Sequence, residues 1–169
     1  TRNTQPYRYR TLGMEKDGTF LVTHAEGDAA VLKDTADGQE VHTLSSNPGV
    51  ETGDALEATV APEQPMEVTW EVIDIGERRP LTAERSEEPP TTQEYEIATA
   101  QENGELTTRE RAGVGELHVL SVPPKQVEDA VSDVLRDEAT LVRAARLGVN
   151  RVEVRADADE GVVSVRYLP

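Results

Sequence analysis

From Gly18 onward, apolar and polar positions alternate with the two-residue period of half-buried strands. Phe20, Val22 and His24 share one face, and Thr19, Leu21 and Thr23 share the other. Glu26-Gly27-Asp28 reads as a turn before Ala29-Ala30-Val31-Leu32. Asp37-Gly38 is a hairpin signal ahead of Glu40-Val41-His42-Thr43-Leu44, and Asn47-Pro48-Gly49 is a further turn. Leu56, Ala58 and Val60 then alternate with Glu57 and Thr59, and Met66, Val68, Trp70 and Val72 alternate with Glu67, Thr69 and Glu71. Short strands separated by turn residues predict a small closed or nearly closed β-barrel of the OB or SH3-like kind.

The period changes beyond residue 76. Gly76 to Thr92, rich in Pro and Glu, reads as a connector, within which Leu81–Arg85 extends the barrel or starts the next unit. Thr91 or Thr92 is an N-cap for a helix over about 92–102. Gly115–Val122 is a strand stopped by Pro123-Pro124. Val127, Val131, Val134, Leu135, Leu141, Val142 and Ala145 then recur at helical spacing, as one long helix or as two joined at 136–137, with Gly148 as the stop. Two strands follow, Val152/Val154/Ala156 and Val163/Val165/Tyr167, around the acidic turn Asp157–Gly161. The expected fold class is therefore α+β: an N-terminal small β-barrel followed by an α+β unit with a terminal β-hairpin. The expected boundaries are 1–14, a basic arm or an over-called start; 15–76, an acidic barrel; 77–93, a connector; and 94–169, an α+β domain.

Charge sharpens this division. The 169 residues carry 33 Asp+Glu against 17 Lys+Arg, for a net charge of −16. The balance is +3 over residues 1–14, −12 over 15–76 and −7 over 77–169. Such an excess causes self-repulsion in dilute salt, whereas at molar salt the Debye length falls to about 3 Å and the repulsion is screened. With only 3 Lys against 14 Arg, the composition fits a salt-adapted cytoplasmic protein. No run approaches a membrane span, and no apolar segment marks a secretory signal. The absence of Cys excludes disulfides, thiolate metal sites and cysteine nucleophiles. Tyr7-Arg8-Tyr9-Arg10 can be read as a basic, aromatic arm that stacks on bases, or as a flexible tail ahead of a start at Met14.

No specific catalytic constellation emerges. His24, His42 and His118 are the only histidines and none has the close spacing of a metal motif. A small metal-dependent hydrolase requires His24, His42 and Glu26 or Asp28 to converge. Acid pairs such as Glu87-Glu88 follow from abundance alone. Gly113-Val114-Gly115 lacks the strand-before, helix-after setting of a phosphate loop, and no cofactor motif is present. One region runs against the acidic trend. Arg143 and Arg146 end the last helix, Arg151 and Arg155 share a strand face, and Arg166 lies on the partner strand. Together they form a candidate nucleic-acid-binding face, because the planar guanidinium grips phosphate bidentately. The competing reading pairs them internally with Glu153, Asp157 and Asp159.

The segments Gly18–His24, Pro65–Trp70, Gly115–Leu120 and Val163–Pro169 resemble an uncharacterised protein family of halophilic archaea, over about residues 14–169. The resemblance implies salt adaptation and no functional residues. The expected function is a non-catalytic binding module, with RNA or a ribonucleoprotein as partner through the arginine face. A protein-interaction adaptor with no nucleic-acid role is the alternative, and a membrane partner is not expected.

Overall fold

A computed structural model describes residues 14–36 and 39–169, so the Tyr7–Arg10 arm and the Asp37-Gly38 hairpin signal lie outside the described residues. The chain divides into two compact units after Pro80.

The first unit is a closed barrel in the order β1-β2-β3-β5-β4, built from β1 (Lys16–Glu26), β2 (Ala29–Asp34), β3 (Val41–Leu44), β4 (Asp54–Pro62) and β5 (Trp70–Pro80). The alternation in β1 places Phe20 and Val22 inside, where they pack with Leu32, Leu44, Leu56 and Val60. Closure requires strands to bend, and β1 shifts register between Val22 and His24 for that purpose. Burying Phe20 alone stabilises the barrel by roughly 2–3 kcal/mol. The last strand starts later than its alternation predicts. Glu63 accepts the amide of Glu67 at 2.8 Å, its own amide donates to Thr69 O at 2.8 Å, and Glu67 takes a positive φ of 57°. This closes a turn, so Met66 and Val68 sit exposed on the tip of the β4–β5 hairpin and pairing begins at Trp70, opposite Pro62.

The second unit is a five-stranded sheet in the order β6-β9-β10-β8-β7. Its strands are β6 (Thr82–Arg85), β7 (Leu106–Glu110), β8 (Glu116–Ser121), β9 (Arg151–Asp157) and β10 (Val162–Leu168). The strand Leu81–Arg85 left open by the sequence belongs here, parallel to β9. One face carries Val152, Val154, Val163, Val165 and Tyr167, which pack with α2 (Val127–Arg136) and α3 (Glu138–Leu147). These are two helices, broken at Asp137, whose φ of −76° and ψ of 123° leave the helical region and whose carboxylate accepts the Ala139 amide at 3.0 Å. The other face carries Leu117, Val119 and Val162 beneath Ala98 of α1 (Thr92–Thr99). This helix starts on a capping box, in which Glu94 N donates to Thr91 Oγ1 and Thr91 N donates to Glu94 Oε1. Among the described residues no helix is long and apolar enough to cross a membrane.

Candidate functional site

The five arginines of the expected nucleic-acid face lie on both faces of the second sheet. Arg151, Arg155 and Arg166 surround Glu153, because β9 and β10 pair with Arg166 opposite Glu153. Arg155 Nε donates to Glu153 at 2.7 Å and its Nη2 donates to Glu88 at 3.1 Å. Arg166 Nη1 donates to Glu94 Oε2 at 2.9 Å, and Arg151 lies 3.8 Å from Glu153. Arg143 belongs to the helical layer on the opposite face. There its Nη2 donates to Glu116 at 2.8 Å. Arg146, exposed in the last turn of α3, is engaged as well. The partners are therefore Glu153, Glu88, Glu94 and Glu116, of which only Glu153 is among the acids nearby in sequence.

Glu116 also meets His118 Nε2 at 2.9 Å, and the His118 ring lies 5.0 Å from that of Tyr167. Burial alone would raise the Glu116 carboxyl, but hydrogen bonds from His118 and Arg143 outweigh it and hold the group below the ordinary carboxylate range. Burial pushes the Tyr167 phenol up. This cluster is a packed ion-pair network, and His118 is only 9% exposed within it.

A cleft of about 360 Å³ opens on the α1 face, between the first turn of α1 and the β7–β8 connection. Its walls include Arg109, Arg111 and Arg166, with Glu94 buried behind them and Leu117 forming apolar wall. The β7–β8 turn is held by Arg111 N donating to Gly115 O at 3.2 Å and Arg111 Nη1 donating to Val114 O at 2.9 Å. Gly115 is obligatory there: its φ is +111°, and an added Cβ would lie 2.1 Å from the carbonyl oxygen of Tyr167. Sequence reading misses Arg109 and Arg111, since β7 is an exposed edge strand with no apolar alternation. Their one signal is two arginines flanking Glu110 ahead of a Gly-x-Gly turn.

In the barrel, His24 and His42 do not converge. The His24 side chain is 54% exposed, whereas His42 is completely buried between Phe20 and Trp70. Lys16 Nζ lies 3.2 Å from His42 Nε2 and 2.8 Å from Asp34 Oδ2. Burial first, and the Lys16 charge second, push His42 below its ordinary value, so it is held neutral. Burial opposes ionisation of Asp34, but its hydrogen bonds to Lys16 and the Ala36 amide prevail and lower it. Among the described residues no three His, Asp or Glu side chains are grouped to hold a metal.

The barrel's other distinctive surface is β5. Among the described residues, Leu44 opposite Trp70 is the one residue pair between β3 and β5. Past Trp70, β5 pairs with β4 alone, so its other edge is open among the described residues. Ile73 and Ile75 are exposed along it, and Glu71 and Asp74 beside them have no ion-pair partner among the described residues.

A barrel joined to an α+β sheet defines a two-unit mixed α+β protein in which strands predominate. Over residues 16–156 the chain matches the family of unknown function DUF5812, and it belongs to that family. The match begins at the first residue of β1 and ends within β9, so β10 lies outside it. No curated protein and no solved structure matches the chain.

Proposed function

We propose that the protein is a non-catalytic binding module of a salt-adapted cytoplasm, and that it engages a protein partner through the open edge of β5. The observation that carries this reading is the edge of β5 beyond Trp70, which faces away from β4, has no strand partner among the described residues, and lies beside the exposed Ile73 and Ile75. Such an edge templates an added strand, with main-chain hydrogen bonds giving affinity and alternate side chains giving specificity. The occupant is an extended segment of another protein, apolar and basic in alternation. Glu71 and Asp74 supply complementary charge, within a stretch of 62 residues that holds 14 acids and two lysines. An RNA- or translation-associated role would rest on Arg143, Arg146, Arg151, Arg155 and Arg166, and these are already committed to partners within the unit.

The test uses the full chain, a synthetic peptide alternating Ile with Arg, its Ile/Glu counterpart and a short oligouridine. The Ile/Arg peptide is expected to slow amide hydrogen exchange along β5. Ile73→Lys plus Ile75→Lys is expected to weaken its binding at least tenfold while leaving the Trp70 fluorescence of the folded barrel unchanged. Binding of oligouridine alone, or Ile/Arg peptide binding that ignores the double variant, overturns the proposal.

A further inference from the structure

Arginine without a carboxylate partner is unusual in this molecule. Acids outnumber cations almost two to one, and the arginines on neighbouring strands are taken up by glutamates. Among the described residues Arg109, Arg111 and Arg136 have no carboxylate partner shown, and of these Arg109 and Arg111 line the same cleft. Arg109 Nη1 donates only to Thr108 O, at 3.4 Å, and Arg111 Nη1 only to Val114 O, at 2.9 Å. Neither has a carboxylate within ion-pair distance among the described residues. Each guanidinium carries five N–H donors, so most of that capacity faces solvent in the cleft or at its rim.

The remaining walls complete the arrangement. Glu94 is spent, since Oε1 accepts the Thr91 amide at 3.1 Å and Oε2 accepts Arg166 Nη1 at 2.9 Å. Its charge is therefore compensated within the wall, and Arg166 Nε also lies 3.4 Å from Glu153 Oε1. Glu110 at the rim leaves the lining net positive by one charge, in a chain of −16. Leu117 adds an apolar surface. The first-turn amides of α1 have no intrahelical acceptors and add a positive partial charge at the same end.

We propose that this cleft binds the phosphate monoester group of a small ligand, with Arg109 and Arg111 as the two forks that hold it. Two planar guanidinium groups match phosphate geometry with parallel N–H···O bonds. A small ligand fits better than a nucleic-acid backbone, because the other sheet arginines, which would have to track further phosphates, are occupied by Glu153, Glu88 and Glu94. The site lies in the second unit and is independent of the β5 edge in the first.

The test is a titration of the full chain with inorganic phosphate and with a nucleoside monophosphate at fixed ionic strength, followed by amide chemical shifts. Both ligands are expected to saturate and to move the amides of residues 109–115. Arg109→Gln plus Arg111→Gln is expected to weaken binding at least tenfold, and Arg151→Gln to leave it within twofold. The double variant replaces an exposed and a half-buried side chain, and an unchanged circular dichroism spectrum verifies its fold. No saturable binding, binding unaffected by the double variant, or tighter binding of a short oligouridine than of either small phosphate overturns the proposal.

Discussion

The two units deal with charge to different degrees. In the second unit arginines bridge distant parts of the chain: Arg166 reaches Glu94, Arg155 reaches Glu88 and Arg143 reaches Glu116. The barrel's described cations are Lys16, Lys33, Arg78 and Arg79, with Arg78 held by Asp54 at 2.6 Å, and its core contains a neutral histidine wedged between aromatic rings. Average net charge hides this difference. One unit ties helices and strands together through arginine pairs, while the other has ion pairs at Lys16, Arg78 and Arg79 and leaves most of its carboxylates to water and salt. The contrast also locates the two proposed surfaces: an acidic, apolar edge where acids are uncompensated, and a basic cleft where arginines are.

The hardest way to break the comparison is to attack each unit's own mainstay. Phe20→Ala removes the largest side chain of the barrel core and is expected to cost about 4 kcal/mol. Trp70, the only tryptophan, reports that loss by fluorescence during denaturation. Exchange protection in β9 and β10 should be retained if the units are separate. Arg166→Ala is the counterpart in the second unit: it strands the buried Glu94 carboxylate and should cost about 3 kcal/mol, read as lost exchange protection in β8 and β10. A smaller loss than that of a surface pair would mean that the ion pair adds nothing to packing.

Acid separates the units more gently. His42 has a folded-state value below its ordinary 6.5, so the unfolded chain takes up a proton that the folded barrel refuses. The stability this contributes is complete above pH 6.5 and is lost as pH falls from there toward the folded value. The slope reaches at most about 1.4 kcal/mol per pH unit. Asp34, lowered from 3.8, adds its own loss only in more acid solution. Denaturation followed by Trp70 should show the His42 slope, and His42→Gln should abolish it. The smallest effect belongs to Arg85→Ala. Its pair with Glu128 is well exposed at both ends, with 42% and 62% of the side chains accessible, and its removal should leave the unfolding midpoint unchanged within error.

The outline of both units was legible in the sequence because it rests on periodicity. Alternation at Phe20–Val22 and Leu56–Val60 located barrel strands, and the three- and four-residue spacing from Val127 to Ala145 located α2 and α3. What depends on pairing across the chain was not legible. Met66 and Val68 continue the alternation into Trp70, yet Glu63 closes a turn around them. Strand β7 has polar residues on both faces, so it has no apolar period, and it exists by pairing with β8. The partners of the arginines were not legible either: Glu94 lies 72 positions from Arg166 in sequence, and only the β10 register and the α1 cap bring them together. The cleft escaped notice for the same reason, since it requires α1 and the β7–β8 turn to lie on one face of the sheet.

The parallel pairing of β6 with β9 has a consequence for the order in which the molecule forms. Thr82 pairs with Arg151, so the first strand of the second unit is synthesised long before its only sheet neighbour. The barrel is complete by Pro80 and can fold while the rest of the chain is still being made. Residues 82–85 must wait, unpaired, through the synthesis of three helices and two strands, because a long loop has to close before the non-local contact is gained. During synthesis the strand that begins the second unit therefore stays without a partner until β9 has been made.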